Sequence, residues 1–243
     1  MRCNAACSFC DYWKTDPSEK ARELKSFADA ARHFRPMMIT FTGGEPTLRR
    51  DLEVIVAEVA RASPFTYLTL ITHGGMLTVD RAQALWDAGL VQFSISLDYL
   101  DERHDIARGI PGLAAKILST VPELTARGMT VLFNTVIKND NIDDIMPIVR
   151  RAQSIGAGAN LSIYTDFKNG NTEHLIADSQ LGRIDALVAE LLAFKRRHRG
   201  VISNSDWYIA QIPKYLRGLF IIACYQNKPI LHKFHTYFHI VNR

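Results

Sequence analysis

Five alternations of strand and helix along the sequence predict an α/β protein built on a parallel sheet. Short apolar runs recur along the chain, and each is followed by a segment whose apolar residues return at helical spacing. Joining parallel strands through such helices calls for right-handed crossovers. The chain has 243 residues, of which 47% are hydrophobic, enough to bury a sizeable core as a single α/β domain. A third observation says where ligands sit. Glycine and polar residues gather toward the strand ends, at Gly43 to Glu45, Thr72 to Gly75, Ser96 to Asp98, Asn134 and Tyr164. In α/β folds the loops that leave strand C-termini share one face and line the ligand site. A doubly wound open sheet and a curved partial barrel both satisfy this pattern.

Taken in order, Asp16-Pro17-Ser18-Glu19 predicts a helix start, with Asp as cap, Pro at the first helical position and Glu reaching back to the cap amide. Leu24, Phe27, Ala28 and Ala31 continue it at helical spacing. Met37 to Phe41 reads as a buried parallel strand, followed by Thr42-Gly43-Gly44-Glu45-Pro46 and a helix carrying Leu52, Ile55, Val56 and Val59. Phe65 to Ile71 is a second strand, and its helix through Ala82, Leu85 and Trp86 stops at Gly89. Val91 to Leu97 is a third, with a loop through His104-Asp105 and Arg108-Gly109 before a helix carrying Leu113, Ile117, Val121 and Leu124. Pro122 within that helix predicts a kink or a late start. Met129 to Ile137 is a fourth strand, and Asn141 is read as the cap of a helix that ends near Gly156. Ala159 to Tyr164 is a fifth, followed by a polar loop and a long helix through Ile184, Leu187, Val188, Leu191 and Leu192.

Ahead of all of these stands Cys3-Asn-Ala-Ala-Cys7-Ser-Phe-Cys10, three of the four cysteines in one short loop. Closely spaced thiolates suit an iron-sulfur cluster, and three of them leave one iron of a cubane open to a substrate. A structural zinc site wants a fourth Cys or His nearby, and none follows before His33. A redox pair of Cys7 and Cys10 leaves Cys3 unexplained, and disulfides leave one thiol over with no secretory leader ahead of them. The run resembles the CxxxCxxC motif of the radical S-adenosylmethionine (radical SAM) family, including Phe9 before the last cysteine and Asn4 after the first. Gly43-Gly44-Glu45-Pro46 resembles that family's GGEP turn. Two residues without side chains let a ligand approach the backbone, and the adjacent carboxylate receives an ammonium.

The resemblance covers Cys3 to about Tyr164 and implies a partial (β/α)6 TIM-like barrel of parallel strands. In the family a first strand precedes the cysteine loop; here only Met1 and Arg2 do, so the first strand is expected to be missing and the edge of its neighbour bare. The resemblance also implies a 4Fe-4S cluster on Cys3, Cys7 and Cys10, with S-adenosyl-L-methionine held by Phe9, Gly43, Gly44, Glu45 and Pro46. Ser94 or Ser96 would face its ribose and Arg108 its carboxylate, with pairing of Asp98 and Arg108 on the surface as the plainer fate of these charges. Thr72-His73-Gly74 stands where the family more often has Thr-Asn-Gly. As the family implies, the reduced cluster passes an electron to S-adenosylmethionine, and the resulting 5′-deoxyadenosyl radical abstracts hydrogen from a peptide or small-molecule substrate. An electron donor such as flavodoxin or ferredoxin is implied with it.

Residues 1–200 are thus expected to form the radical SAM core. Residues 201–243 read as a remnant of a C-terminal auxiliary (SPASM or twitch-like) region, in which Cys224 would be the first ligand of a second cluster that no later cysteine completes. His232, His235 and His239 are a weak metal signal. The alternatives are an incomplete iron-sulfur or zinc-binding fragment and a tRNA-modifying enzyme. A net charge of +4 and a pI near 8.9 are too mildly basic to argue for nucleic acid. Lys195 to Arg199 reads as a solvated helix end, where positive charge complements the dipole. The longest apolar run, Leu219 to Tyr225, is far too short to span a membrane, and a cytoplasmic location is expected.

Overall fold

A computed structural model describes residues 3–14 and 24–218. The expected helix start at Asp16, Cys224 and the three C-terminal histidines lie outside those residues. Five strands form one sheet: β1 Met38–Phe41, β2 Tyr67–Thr72, β3 Gln92–Ser96, β4 Val131–Ile137 and β5 Gly158–Ile163. All neighbours are parallel, and their spatial order is their sequence order. A doubly wound sheet reverses direction at a switch point, whereas an unbroken sequential order is that of a barrel wall. The alternation of elements left those two architectures open, and the strand order selects the partial barrel that the resemblance implied.

Helices α1 Leu24–Phe34, α2 Leu52–Ala62 and α3 Val79–Asp87 follow the first loop and the first two strands. After β3 the chain forms α4 Glu102–Arg108 and α5 Leu113–Ala126. Beyond β4 and β5 come α6 Ile145–Ser154, α7 Leu181–Arg197 and α8 Asp206–Leu216. The helices bury one face of the sheet. In β4, Val131, Phe133, Thr135 and Ile137 are buried while Leu132, Asn134 and Val136 are half-buried, the alternation of a strand with one packed and one open face. Phe41, Leu70, Phe93, Ile95 and Phe133 share the packed face with Leu85, Ile117, Val149 and Leu191 from the helices. Ile202, Ile209 and Ile212 belong to that same core, and Ile202 forms a parallel bridge to Ala159.

Three expectations are corrected. The segment through His104 and Arg108 is the helix α4, begun by the Asp101 side chain accepting from the Arg103 amide and ended by Gly109 at φ +64°. Helix α5 does not start late: it begins at Leu113 and includes Pro122 on its way to Ala126. Asn141 does not cap a helix with its side chain. Its Oδ1 accepts from the Lys138 amide at 2.7 Å, and its Nδ2 donates to the carbonyls of Val136 (2.9 Å) and Asp98 (3.3 Å), lashing the ends of β3 and β4 together.

Candidate functional site

The cysteine loop is tied down along its length. The amides of Ala6 and Ser8 donate to the carbonyls of Arg108 (2.9 Å) and Ala107 (3.0 Å), so the loop rests on the last turn of α4. The Cys10 amide donates to the Cys7 carbonyl, which also receives the Trp13 indole at 3.3 Å. All three thiols are unpaired, with Cys7 buried and the others half-buried. Burial pushes the Cys3 thiol up, and it pushes Cys7 up to about 11 against the opposing pull of Arg108. Each of these two thiols also acts on the other or on Cys10 electrostatically, as groups sharing one small volume do. Among the described residues no three His, Cys, Asp or Glu side chains converge tightly enough to hold a single metal ion.

Glu45 is buried at the end of β1, where Pro46–Leu48 form a single 3-10 turn. Its Oε1 accepts from the Thr47 amide (3.0 Å), the Thr47 hydroxyl (2.5 Å) and the Thr72 hydroxyl (2.6 Å), and its Oε2 accepts from the His73 amide at 2.9 Å. The carboxylate is therefore locked in one orientation before any ligand arrives. Arg81 holds the same turn from α3, donating to the carbonyls of Thr47 (2.5 Å) and Arg49 (2.8 Å) and to Glu53 (2.7 Å).

His73 joins this turn to the cysteine loop. Its Nδ1 accepts from the Gly75 amide at 2.9 Å, so the proton of the neutral ring is on Nε2. That Nε2–H faces Asn4 Oδ1 at 2.8 Å and Glu45 Oε2 at 3.3 Å. Burial pushes the His73 pKa below its ordinary value, although Glu45 pulls the other way. The expected departure from the Thr-Asn-Gly pattern is thus a bridge to the neighbouring loop.

Below the loop lies a buried polar layer. Asp98 accepts from Arg108 Nη2 at 2.6 Å and from the Val136 amide at 2.9 Å. Its own amide donates to His104 Nδ1 at 3.2 Å. Arg108 and Asp98 do pair, but in the interior, with Asp98 fully covered. Arg108 Nε and His104 Nε2 are buried without a hydrogen-bond partner among the described residues. Lys138, 1% exposed, donates to the Tyr99 hydroxyl at 2.9 Å. Phe9 meets this layer directly, with the Arg108 guanidinium 5.2 Å and the Lys138 ammonium 5.0 Å from its ring centre.

The remaining predicted residues lie on the open face of the sheet or at its C-terminal rim. Ser94 and Ser96 are buried there, Ser94 accepting from Gln92 Nε2 at 3.1 Å. Ser96 pairs in register with Asn134, and Asn134 with Asn160, whose amides are joined at 2.8 Å. Beside Phe9 and Cys10 opens a cleft of about 530 Å³ that reaches Tyr12, Val136, Ser162 and Tyr164. Sequence reasoning missed Arg81 and Lys138 as parts of this assembly, and placed His104 only in the segment after the third strand without a role. Arg81 and Lys138 lie in no motif, and each acts through partners distant in sequence.

The family model described as the radical SAM superfamily matches residues 1–152. PqqA peptide cyclase of Methylocella silvestris is 32% identical over 212 residues, taking in 83% of this chain and 55% of its own length. GTP 3',8-cyclase of Staphylococcus aureus is 32% identical over 230 residues, 89% of this chain and 65% of its own. The chain therefore spans between half and two thirds of these curated relatives. Streptococcus suis SuiB bound to S-adenosylmethionine shares the fold with a TM-score of 0.69 at 15% identity, over 83% of this chain and 47% of that one. No helix among the described residues is long and apolar enough to cross a membrane. With more than half of its length under the family model, and with the cysteine loop, the Gly-Gly-Glu turn and the sequential parallel strands assembled at one rim, the chain belongs to the radical SAM superfamily.

Proposed function

We propose that this chain is the core of an enzyme that cleaves S-adenosylmethionine reductively at a 4Fe-4S cluster and takes hydrogen from a peptide substrate. The observation that carries the reading is the Glu45 carboxylate, fixed by its neighbours and joined through His73 to the loop bearing Cys3. Three unpaired thiols in one anchored loop suit the closely spaced thiolate ligation of an inorganic cubane. When bound, that cluster supplies the electron for cleavage, received from a donor protein such as flavodoxin or ferredoxin.

The chain's own residues do the holding. Glu45 Oε2 has a lone pair left for the amino group of S-adenosylmethionine, and the buried Arg108 Nε is a donor left for its carboxylate. Ser96 and the cleft beside Phe9 and Tyr164 take the adenosyl end and keep water away. None of the five strands contains a charged residue, so the open face offers the substrate hydroxyls, amides and apolar surface. That surface favours a peptide, as named for PqqA peptide cyclase and for SuiB bound to its precursor peptide, over the nucleoside triphosphate named for the GTP cyclases.

Anaerobic reconstitution with iron and sulfide, followed by dithionite and S-adenosylmethionine, tests the reading. The expected results are iron in the protein and 5′-deoxyadenosine in solution. Glu45→Gln should keep the iron and bind S-adenosylmethionine about 10- to 150-fold more weakly, the loss of one charge-assisted hydrogen bond worth about 1.5–3 kcal/mol. Stoichiometric zinc without iron overturns it.

A further inference from the structure

Lys138 is the least expected charge in the protein. A buried ammonium is costly unless an opposite charge or a strong set of acceptors compensates it. Its nearest carboxylate, Asp140, stands 3.5 Å away with its side chain 52% exposed to solvent. Its other partners are the neutral Tyr99 hydroxyl and the ring faces of Tyr99 and Phe9, whose centres lie 4.6 Å and 5.0 Å from Nζ. Arg108 adds a second buried cation at the same Phe9 ring, and Cys7 and Cys10 both act on it electrostatically. Asp98 is the buried carboxylate that feels both cations, and with one charge it balances one of them. Two buried cations and one buried carboxylate therefore lie beside the loop that carries three thiols, with Asp140 reaching Lys138 only from the solvent side.

We propose that Lys138, with Arg108, forms a positive brace behind Phe9 whose missing counter-charge is the anionic metal core held by Cys3, Cys7 and Cys10. This rests on the functional reading above. Metal-bound thiolates are anionic, and a one-electron reduction adds a further negative charge to the core. A fixed positive charge in a dry setting favours the reduced form over the oxidised one, and so raises the reduction potential. Lys138 is a positioning and tuning residue here, acting on the core through space and through the Phe9 ring. It lies one residue beyond β4, where Asn141 holds its amide, so the charge is fixed on the scaffold.

The test compares the full chain with Lys138→Met, Lys138→Gln and Lys138→Arg. In the reconstituted proteins, potentiometric titration followed by electron paramagnetic resonance should give lower midpoints for Met and Gln and a midpoint near the parent for Arg. In the metal-free proteins the Met variant should melt at the same or a higher temperature, because it removes a buried charge whose one carboxylate partner is half exposed to solvent. An unchanged midpoint in Met or Gln, or a metal-free Met variant that melts lower, overturns the brace and leaves Lys138 as a structural anchor. If the parent takes up zinc and no iron, the functional reading fails separately, and the melting comparison still decides whether the lysine is under-compensated.

Discussion

His104 is fully buried, with Nδ1 accepting from the Asp98 amide and Nε2 buried without a partner among the described residues. Burial, helped by the nearby Arg108, holds its pKa down at about 4. The unfolded chain titrates near the ordinary value of about 6.5. Between these two values the unfolded state binds a proton that the folded state refuses, so stability falls as pH drops from about 6.5 to about 4 and levels off below. The contribution is about 3 kcal/mol at full extent. Asp98 is also depressed, but its share is present above the ordinary carboxylate range and is lost only at lower pH, a separate window. Urea unfolding at stepped pH should show that His104→Gln flattens the limb between pH 6.5 and 4. None of this was legible in the sequence, because the acceptor role of His104 depends on a backbone amide that only the turn after β3 presents. Glu45 could be singled out in the sequence, because two glycines at a strand end leave room for a ligand beside a carboxylate, whereas its four hydrogen bonds to Thr47, Thr72 and His73 could not.

At the scale of elements, the strands and the long helices could be read because each buries an apolar stripe. Helix α4 could not. Its seven residues carry one large apolar side chain, Ile106, which is 76% exposed, and the helix faces inward with His104 and Arg108 instead. Its Asp101 cap and Gly109 stop lie in a stretch otherwise without helical periodicity, which is why that stretch reads as a loop in the sequence. Gly109 stands at φ +64°, and a Cβ there would come 3.2 Å from the Cβ of Ala6 in the cysteine loop. Gly109→Ala should therefore cost about 1–2 kcal/mol in strained backbone and also push the loop off the helix end. Chemical denaturation measures the first effect. A faster loss of iron to a chelator, at unchanged helix content, measures the second.

For the whole molecule, sequential strand order leaves β1 paired with β2 alone among the described strands. Around the starts of β1 and β2, Phe34, Met37, Met38, Phe65 and Tyr67 are exposed, Phe65 almost completely at 98%. Apolar side chains grouped in this way invite association with other chains. Light scattering against concentration should show self-association that Met37→Lys with Phe65→Ser reduces, while circular dichroism stays unchanged. Alternation of elements revealed the class of fold in the sequence; barrel or open sheet was decided by which strands are neighbours, which periodicity does not encode. The loop bearing the cysteines has a further consequence. Its backbone is hydrogen-bonded to the end of α4, and Asn4 is held by His73, by groups that owe nothing to a metal. Most of the ordering entropy of the receptacle is thus spent during folding, and under the proposed function a metal core would be inserted into a finished mould, unlike small domains that wrap themselves around their ion.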